Sequence, residues 1–207
     1  MEMKWIRVGI VIGAWAVLGG CGSLQPVKSE SPSTYSLDAS FDAAATQAPG
    51  ALTLVVARPR EGAGFDSARM AYVKKAHELE YFARNQWVDS PGKMLLPLLV
   101  RALETGGAFR AVTQAPAPVS GDLRLETDIV RLQQEFLAAP SRVRFTLRAQ
   151  LIDVPGKRVI ATREFDVSEN APSDDPYGGV VAANRAVRRV LNEVAEFGAI
   201  QGKLPNP

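Results

Sequence analysis

Two stretches of strict alternation constrain what this chain can fold into more than any other feature. Leu123, Leu125, Thr127 and Ile129 alternate with Arg124, Glu126 and Asp128. Val143, Phe145, Leu147, Ala149 and Leu151 alternate with Arg142, Arg144, Thr146, Arg148 and Gln150. Successive side chains on a strand point to opposite faces, so this is the pattern of antiparallel strands that bury one face and wet the other. Pro155-Gly156 turns the chain into a third strand over Arg158 to Val167, with Phe165 and Val167 pointing inward. A sheet of this kind needs cover for its apolar face.

Two segments carry a helical period and supply that cover. In SPGKMLLPLLVRALETGGAF, Ser90 suits an N-cap and Pro91 the first helical position. Leu95, Leu98, Leu99, Ala102 and Leu103 form an apolar stripe, and Gly106-Gly107 supplies the stop. Pro97 inside this segment marks a kink or a slightly later start. The second helix is expected from about Tyr177 to Phe197, with Val180, Ala183, Val187, Val190, Leu191, Val194 and Phe197 on one face. Shorter strand patterns occur at Thr34 to Leu37, Ala51 to Arg58 and Phe109 to Thr113. Arg69 to Val73 and Glu78 to Phe82 read as a hairpin around Lys74-Lys75-Ala76-His77, and Arg60 to Gly64 as a loop. The expected fold is a single α/β (α+β) domain: a mixed, largely antiparallel sheet of about six or seven strands with two main helices packed on it.

The start of the chain has a different character. Lys4 and Arg7 precede an uncharged run from Val8 to Leu18, and Gly19-Gly20 leads into Cys21. That is the order of a secretory signal peptide. The run falls well short of the roughly 20 residues a spanning helix needs. Leu18-Gly19-Gly20-Cys21 resembles the bacterial lipobox. The resemblance implies cleavage before Cys21, a diacylglyceryl thioether on its sulfur and an acylated amine, each chain worth about 0.8 kcal/mol per buried CH₂. Gly22 to Ser33, rich in Ser and Pro, reads as a solvated tether of up to roughly 40 Å. Gly22 stands where an Asp favours retention in the inner membrane under the enterobacterial sorting rule. The expected location is therefore the outer membrane, lipid-anchored, facing the periplasm. The resulting division is 1–20 signal peptide, 21–34 lipidated N-terminus and tether, 35–200 domain, and 201–207 a disordered tail.

Charge and chemistry narrow the function by what they lack. The chain has 24 Lys and Arg against 22 Asp and Glu; without Lys4, Arg7 and Glu2 the mature part has 22 and 21. This near-neutral balance offers no basic footprint for nucleic acid. Cys21 is the one cysteine, so no intramolecular disulfide can form and apolar burial must hold the domain. His77 is the one histidine, placed beside two lysines in a turn, with no further imidazole or thiolate to complete a metal site. No G-x-S-x-G elbow accompanies a serine, and neither Gly62-Ala63-Gly64 nor Gly178-Gly179 builds a phosphate loop. Asp174-Asp175 reads as a pair of acids placed favourably at a helix N-terminus. No catalytic residue, metal or cofactor is expected.

Two surface features bear on binding. Arg142, Arg144 and Arg148 form a row that could grip lipid headgroups, but Glu126 and Asp128 on the neighbouring strand offer them cross-strand partners. The aromatic group Tyr72, Tyr81, Phe82 and Trp87 fits a core, yet Tyr81 and Phe82 are neighbours on a strand and point to opposite faces. One of them can sit on a partner-binding surface.

The stretch YFARNQWVDSPGKMLLPLLVRALETGGAFRAV, Tyr81 to Val112, resembles the bacterial ABC-type transport auxiliary lipoproteins, the group that includes PqiC. An aromatic strand, a Trp, a Pro-led Leu-rich helix, a small-residue stop and a Phe-x-x-Val strand follow one another here as Tyr81, Trp87, Pro91, Leu95, Leu99, Leu103, Gly106 and Phe109 to Val112. The resemblance continues through Leu123 to Ile129, the LRAQLID strand and the final helix. It implies a non-enzymatic, outer-membrane-anchored component of a system built from a transport ATPase, a permease and an MCE-domain protein. Such systems move lipid between the inner and outer membranes, and homo-oligomers are among the assemblies it implies. A lipid carrier with an apolar pocket and a cell-envelope hydrolase are the competing readings.

Overall fold

The computed structural model describes residues 31–41, 50–116 and 120–202. The expected signal peptide, Cys21, most of the expected tether and nearly all of the expected tail lie outside the described residues. In chain order the elements are β1 (Ser33–Tyr35), β2 (Thr53–Val56), β3 (Arg60–Glu61), β4 (Arg69–Lys75), β5 (Glu78–Trp87), α1 (Pro91–Thr105), β6 (Ala111–Gln114), β7 (Leu123–Glu135), β8 (Arg142–Asp153), β9 (Arg158–Asn170) and α2 (Pro176–Gln201). The domain is a mixed, largely antiparallel open sheet of nine strands with two helices, an α+β architecture.

The alternating strands pair antiparallel along their whole length, β7 with β8 and β8 with β9. Val143, Phe145, Leu147, Ala149 and Leu151 are all buried, as the period of two requires. One irregularity changes the faces of β7. Between Ile129 and Arg131 the register slips, leaving Val130 as a bulge. Before it Leu123, Leu125, Thr127 and Ile129 face inward; beyond it Leu132 and Gln134 do. The slip also sets Glu135 opposite Arg142.

The other edge of β7 is shared by three short parallel strands in succession. β2 pairs along Leu123 to Leu125, β3 along Asp128 and Ile129, and β4 along Gln133 to Glu135. The segment expected as a loop at Arg60 thus contributes β3, because Arg60 bonds Asp128 at 2.6 Å and fills the gap between β2 and β4. β6 extends the sheet beyond β2, while β5 and then β1 extend it beyond β4.

Both helices cover the inward face. Every residue named on the α2 stripe is buried, and Phe165 meets Phe197 edge-on with ring centroids 5.9 Å apart. α1 starts at Pro91 with Pro97 inside it, so the later start is not taken. Its cap differs from expectation. Ser90 makes no side-chain cap bond and its hydroxyl is buried without a partner; Glu61 from β3 accepts from Gly92 N at 2.7 Å instead. α2 is capped by Asp175, which accepts from Gly178 N at 2.7 Å.

Candidate functional site

The hairpin of β4 and β5 gathers the aromatic candidates. Two residues, Ala76 and His77, separate its strands, and His77 takes φ +68°, the left-handed conformation a tight turn needs. His77 is exposed and serves as a turn residue. Tyr72 on β4 lies 4.4 Å, centroid to centroid, from Phe82 on β5. Phe136, just after β7, stands edge-on to Tyr72 at 6.0 Å and to Phe82 at 6.4 Å. The Tyr72 hydroxyl donates to Glu80 Oε2 at 2.7 Å, and that bond to a carboxylate, with burial adding, raises its pKa above the ordinary phenol value.

Tyr81 points to the other face, as alternation demands. Its hydroxyl donates to the carbonyl of Gly64 at 3.0 Å, and the Arg69 guanidinium lies 3.8 Å over its ring. Gly64 sits at φ +88°, a conformation that disfavours any side chain, and a Cβ there would also crowd the end of Leu79 at 2.7 Å and the Tyr81 hydroxyl at 3.2 Å. Tyr72, Tyr81 and Phe82 are each half-buried, so each keeps an accessible portion. Trp87 does not. It is 4% exposed within the main core, and its backbone N–H donates to Ala68 O at 2.7 Å. That placement leaves the indole little surface to offer a partner, and Trp87 is kept out of the contact surface proposed below.

The open face of the sheet carries the charged residues. Arg144 grips Asp166 of β9, with Nε 2.9 Å from Oδ1, and the Thr146 hydroxyl adds a bond at 2.7 Å. These contacts hold the Asp166 pKa down at about 2, against the pull of partial burial. Arg142 pairs with Glu135 at 3.2 Å. Glu126 and Asp128 bond to Arg60, at 3.5 and 2.6 Å, and Glu126 also to Arg124 at 3.0 Å. The cross-strand pairing expected of Glu126 and Asp128 with the arginine row therefore goes elsewhere: Arg142 and Arg144 find other acids, and Arg148 is opposite Asp128 only in register. β3 and β9 bring the nearer partners, which the spacing of two strands alone did not display.

Asp174 and Asp175 both serve the entry of α2. Asp174 accepts from Ser141 N at 2.7 Å and Asp175 from Gly178 N, and these backbone bonds lower both pKa values. Sequence reasoning missed Phe136, Glu61 and Gln134. The last is 3% exposed and donates through Nε2 to Ser141 Oγ at 2.9 Å and to Asp175 O at 3.1 Å. Among the described residues no group of three or more His, Cys, Asp or Glu could hold a metal ion, and no helix is long and apolar enough to cross a membrane.

What these features define is an α+β domain with a helix-covered apolar face, an open face of paired charges, and a half-buried aromatic hairpin at one end. The chain belongs to the family described as the ABC-type transport auxiliary lipoprotein component, whose model matches residues 35–195. That description is of a lipoprotein that serves transport. The crystal structure of protein XCC0632 from Xanthomonas campestris is similar to it, with 24% identity, 83% of this chain and 97% of that chain covered, and a TM-score of 0.77. An uncharacterized protein of known structure is similar at 14% identity over 81% of this chain and 99% of its own, with a TM-score of 0.65. At these identities the likeness is one of fold. No curated protein matches the chain.

Proposed function

We propose that this chain is a non-enzymatic outer-membrane lipoprotein, the periplasmic auxiliary component of an MCE-type ABC system that moves lipid between two membranes. The observation that carries the reading is the family match over residues 35–195 in a chain whose Leu18-Gly19-Gly20-Cys21 precedes it. Acylated Cys21 holds the domain at the membrane, and the domain docks the transporter by binding. The accessible parts of Tyr72, Tyr81 and Phe82 are the contact surface in this proposal, next to an open cleft of about 380 Å³ lined by Arg69, Tyr81, Phe82, Ala83 and Asn85. Half-buried aromatics fixed by hydroxyl bonds, as Tyr72 and Tyr81 are, or by ring packing, as Phe82 is, offer large rigid area at little entropic cost, which is what interfaces favour.

The carrier reading finds less support. Among the described residues, the apolar-lined cavity beneath Phe82 and Trp87 has about 10 Å³, room for about one water, and the roomier cleft beside Tyr81 is open and lined by the polar Arg69, Asn85 and Gln86. Pockets that enclose a small molecule run to roughly 300–1,000 Å³. The test is crosslinking in intact cells from a photoreactive residue at Tyr81. Adducts with an MCE-domain protein are expected, and adducts no richer than those from Arg163 on β9 would remove Tyr81 from the contact surface. A Cys21→Ser chain should leave the membrane fraction; if it stays with the outer membrane, the anchor is wrong.

A further inference from the structure

We propose that the turn between β7 and β8, Phe136 to Pro140, is the end of the domain that meets the bilayer, with Leu137 dipped into the interface. The proposal rests on the reading of Cys21 as acylated. Phe136-Leu137-Ala138-Ala139-Pro140 contains no polar side chain. Exposed connections are ordinarily built from Gly, Pro, Asn, Asp and Ser; Pro140 fits that chemistry, but Leu137, Ala138 and Ala139 before it run against it. Leu137 is 49% exposed and Ala138, Ala139 and Pro140 are exposed too. The turn has a firm base: Phe136 packs on Tyr72 and Phe82, and its N–H donates to Val73 O at 2.8 Å.

The route of the chain into the sheet says what covers this end. β1 runs parallel to β5, with Ser33 opposite Asn85 and Tyr35 opposite Trp87. Ser33 is therefore the end of β1 nearer Glu78 and the hairpin turn beside Val73 and Phe136. Pro32 already lines the cleft with Tyr81, Phe82 and Ala83. From Asn85 to Glu78 a strand spans at most about 23 Å. Cys21 to Ser33 reaches roughly 40 Å, so an acylated Cys21 attains the plane of the turn with roughly 15 Å to spare. The opposite end of the sheet carries the turn Val154-Pro155-Gly156-Lys157, which has the usual turn chemistry and a charge.

The charges state the kind of contact. Lys74, Lys75, His77 and Arg142 share this end with Glu78, Glu80, Glu135, Asp174 and Asp175. No basic surface faces the headgroups, so the contact is apolar and independent of salt. The acyl chains supply the affinity and hold the turn at a high effective concentration; one leucine is then enough to set orientation.

A Leu137→Cys substitution gives the acylated chain its one free thiol, because the sulfur of Cys21 is occupied by lipid. The acylated full chain, labelled there with a nitrobenzoxadiazole dye, is reconstituted in vesicles of phosphatidylethanolamine and phosphatidylglycerol containing brominated phosphatidylcholine. The expected result is a blue shift and quenching severalfold stronger than for the same dye on Val154→Cys, unchanged by added salt. A chain that floats with vesicles while the dye at 137 emits as in water overturns the proposal and leaves the acylation standing. A chain that does not float overturns both. A blue shift that survives in detergent without bromine quenching shows a second copy on the turn, and also overturns it.

Discussion

Replacing Gly179 with Ala should destabilise the domain although it removes nothing. A Cβ at this position would lie 2.2 Å from Gln134 Oε1 and 2.8 Å from its Cδ. Relief needs a shift of about 1 Å, and neither side can give it freely. Gln134 is held by the two bonds from Nε2 to Ser141 Oγ and Asp175 O, and turning its amide over would set Oε1 against that carbonyl. Moving the side chain loses both bonds, about 1 kcal/mol each, and strains the packing by about 1–3 kcal/mol. The higher helix propensity of Ala returns about 1 kcal/mol. The net loss is about 2–4 kcal/mol, which for a domain of this size lowers Tm by roughly 5–15 °C. Thermal and urea unfolding of the Cys21→Ser chain measures it. Gly106→Ala is the control, because the nearest atom to its Cβ lies at 3.4 Å, and it should change stability by less than about 0.5 kcal/mol. A Gly179→Ala protein melting within about 2 °C of its parent would refute the locked amide. If the reasoning holds, Gln134→Ala added to Gly179→Ala costs less than the two single changes combined.

Glu61→Ala leaves Gly92 N at the start of α1 without its acceptor and should cost about 1–2 kcal/mol by urea midpoint, with Glu61→Gln losing less. Asp166, with its pKa down at about 2 against 3.8, contributes stability that is present above about pH 4 and lost as pH falls through about 2. Because its side chain is 38% exposed, screening holds that contribution to about 1 kcal/mol or less. Asp166→Asn should flatten the acid limb of the stability curve in that window, and an unchanged limb would show that Arg144 does not act through it. Trp87→Ala should cost about 3–5 kcal/mol by urea denaturation, whereas Tyr81→Ala, half-buried, should cost less than half as much.

The candidate site was legible only in part. Alternation correctly sent Tyr81 and Phe82 to opposite faces, one toward Gly64 and the other toward Phe136. It said nothing of depth, so Trp87, on the same strand, proved to be core. Phe136 escaped notice because it follows a strand and belongs to no stripe; its role comes from Tyr72 and Phe82, far off in sequence.

The wider fold divides along the same line. The faces of β8, the buried stripe of α2 and the stop of α1 at Gly106-Gly107 were determined by the sequence alone. Side-chain direction repeats every two residues on a strand and every 3.6 on a helix, and hydropathy needs only near neighbours to display it. The tertiary structure alone decided that β2, β3 and β4 would share one edge of β7, that the bulge at Val130 would exchange its faces, and that Glu61 would cap a helix 31 residues away. It also chose the ion pairs: Arg60 of β3 takes Asp128, Asp166 of β9 takes Arg144, and the slip in β7 brings Glu135 to Arg142. Those outcomes depend on which segments close against one another, and chain closure and long-range packing leave no periodic mark along the sequence.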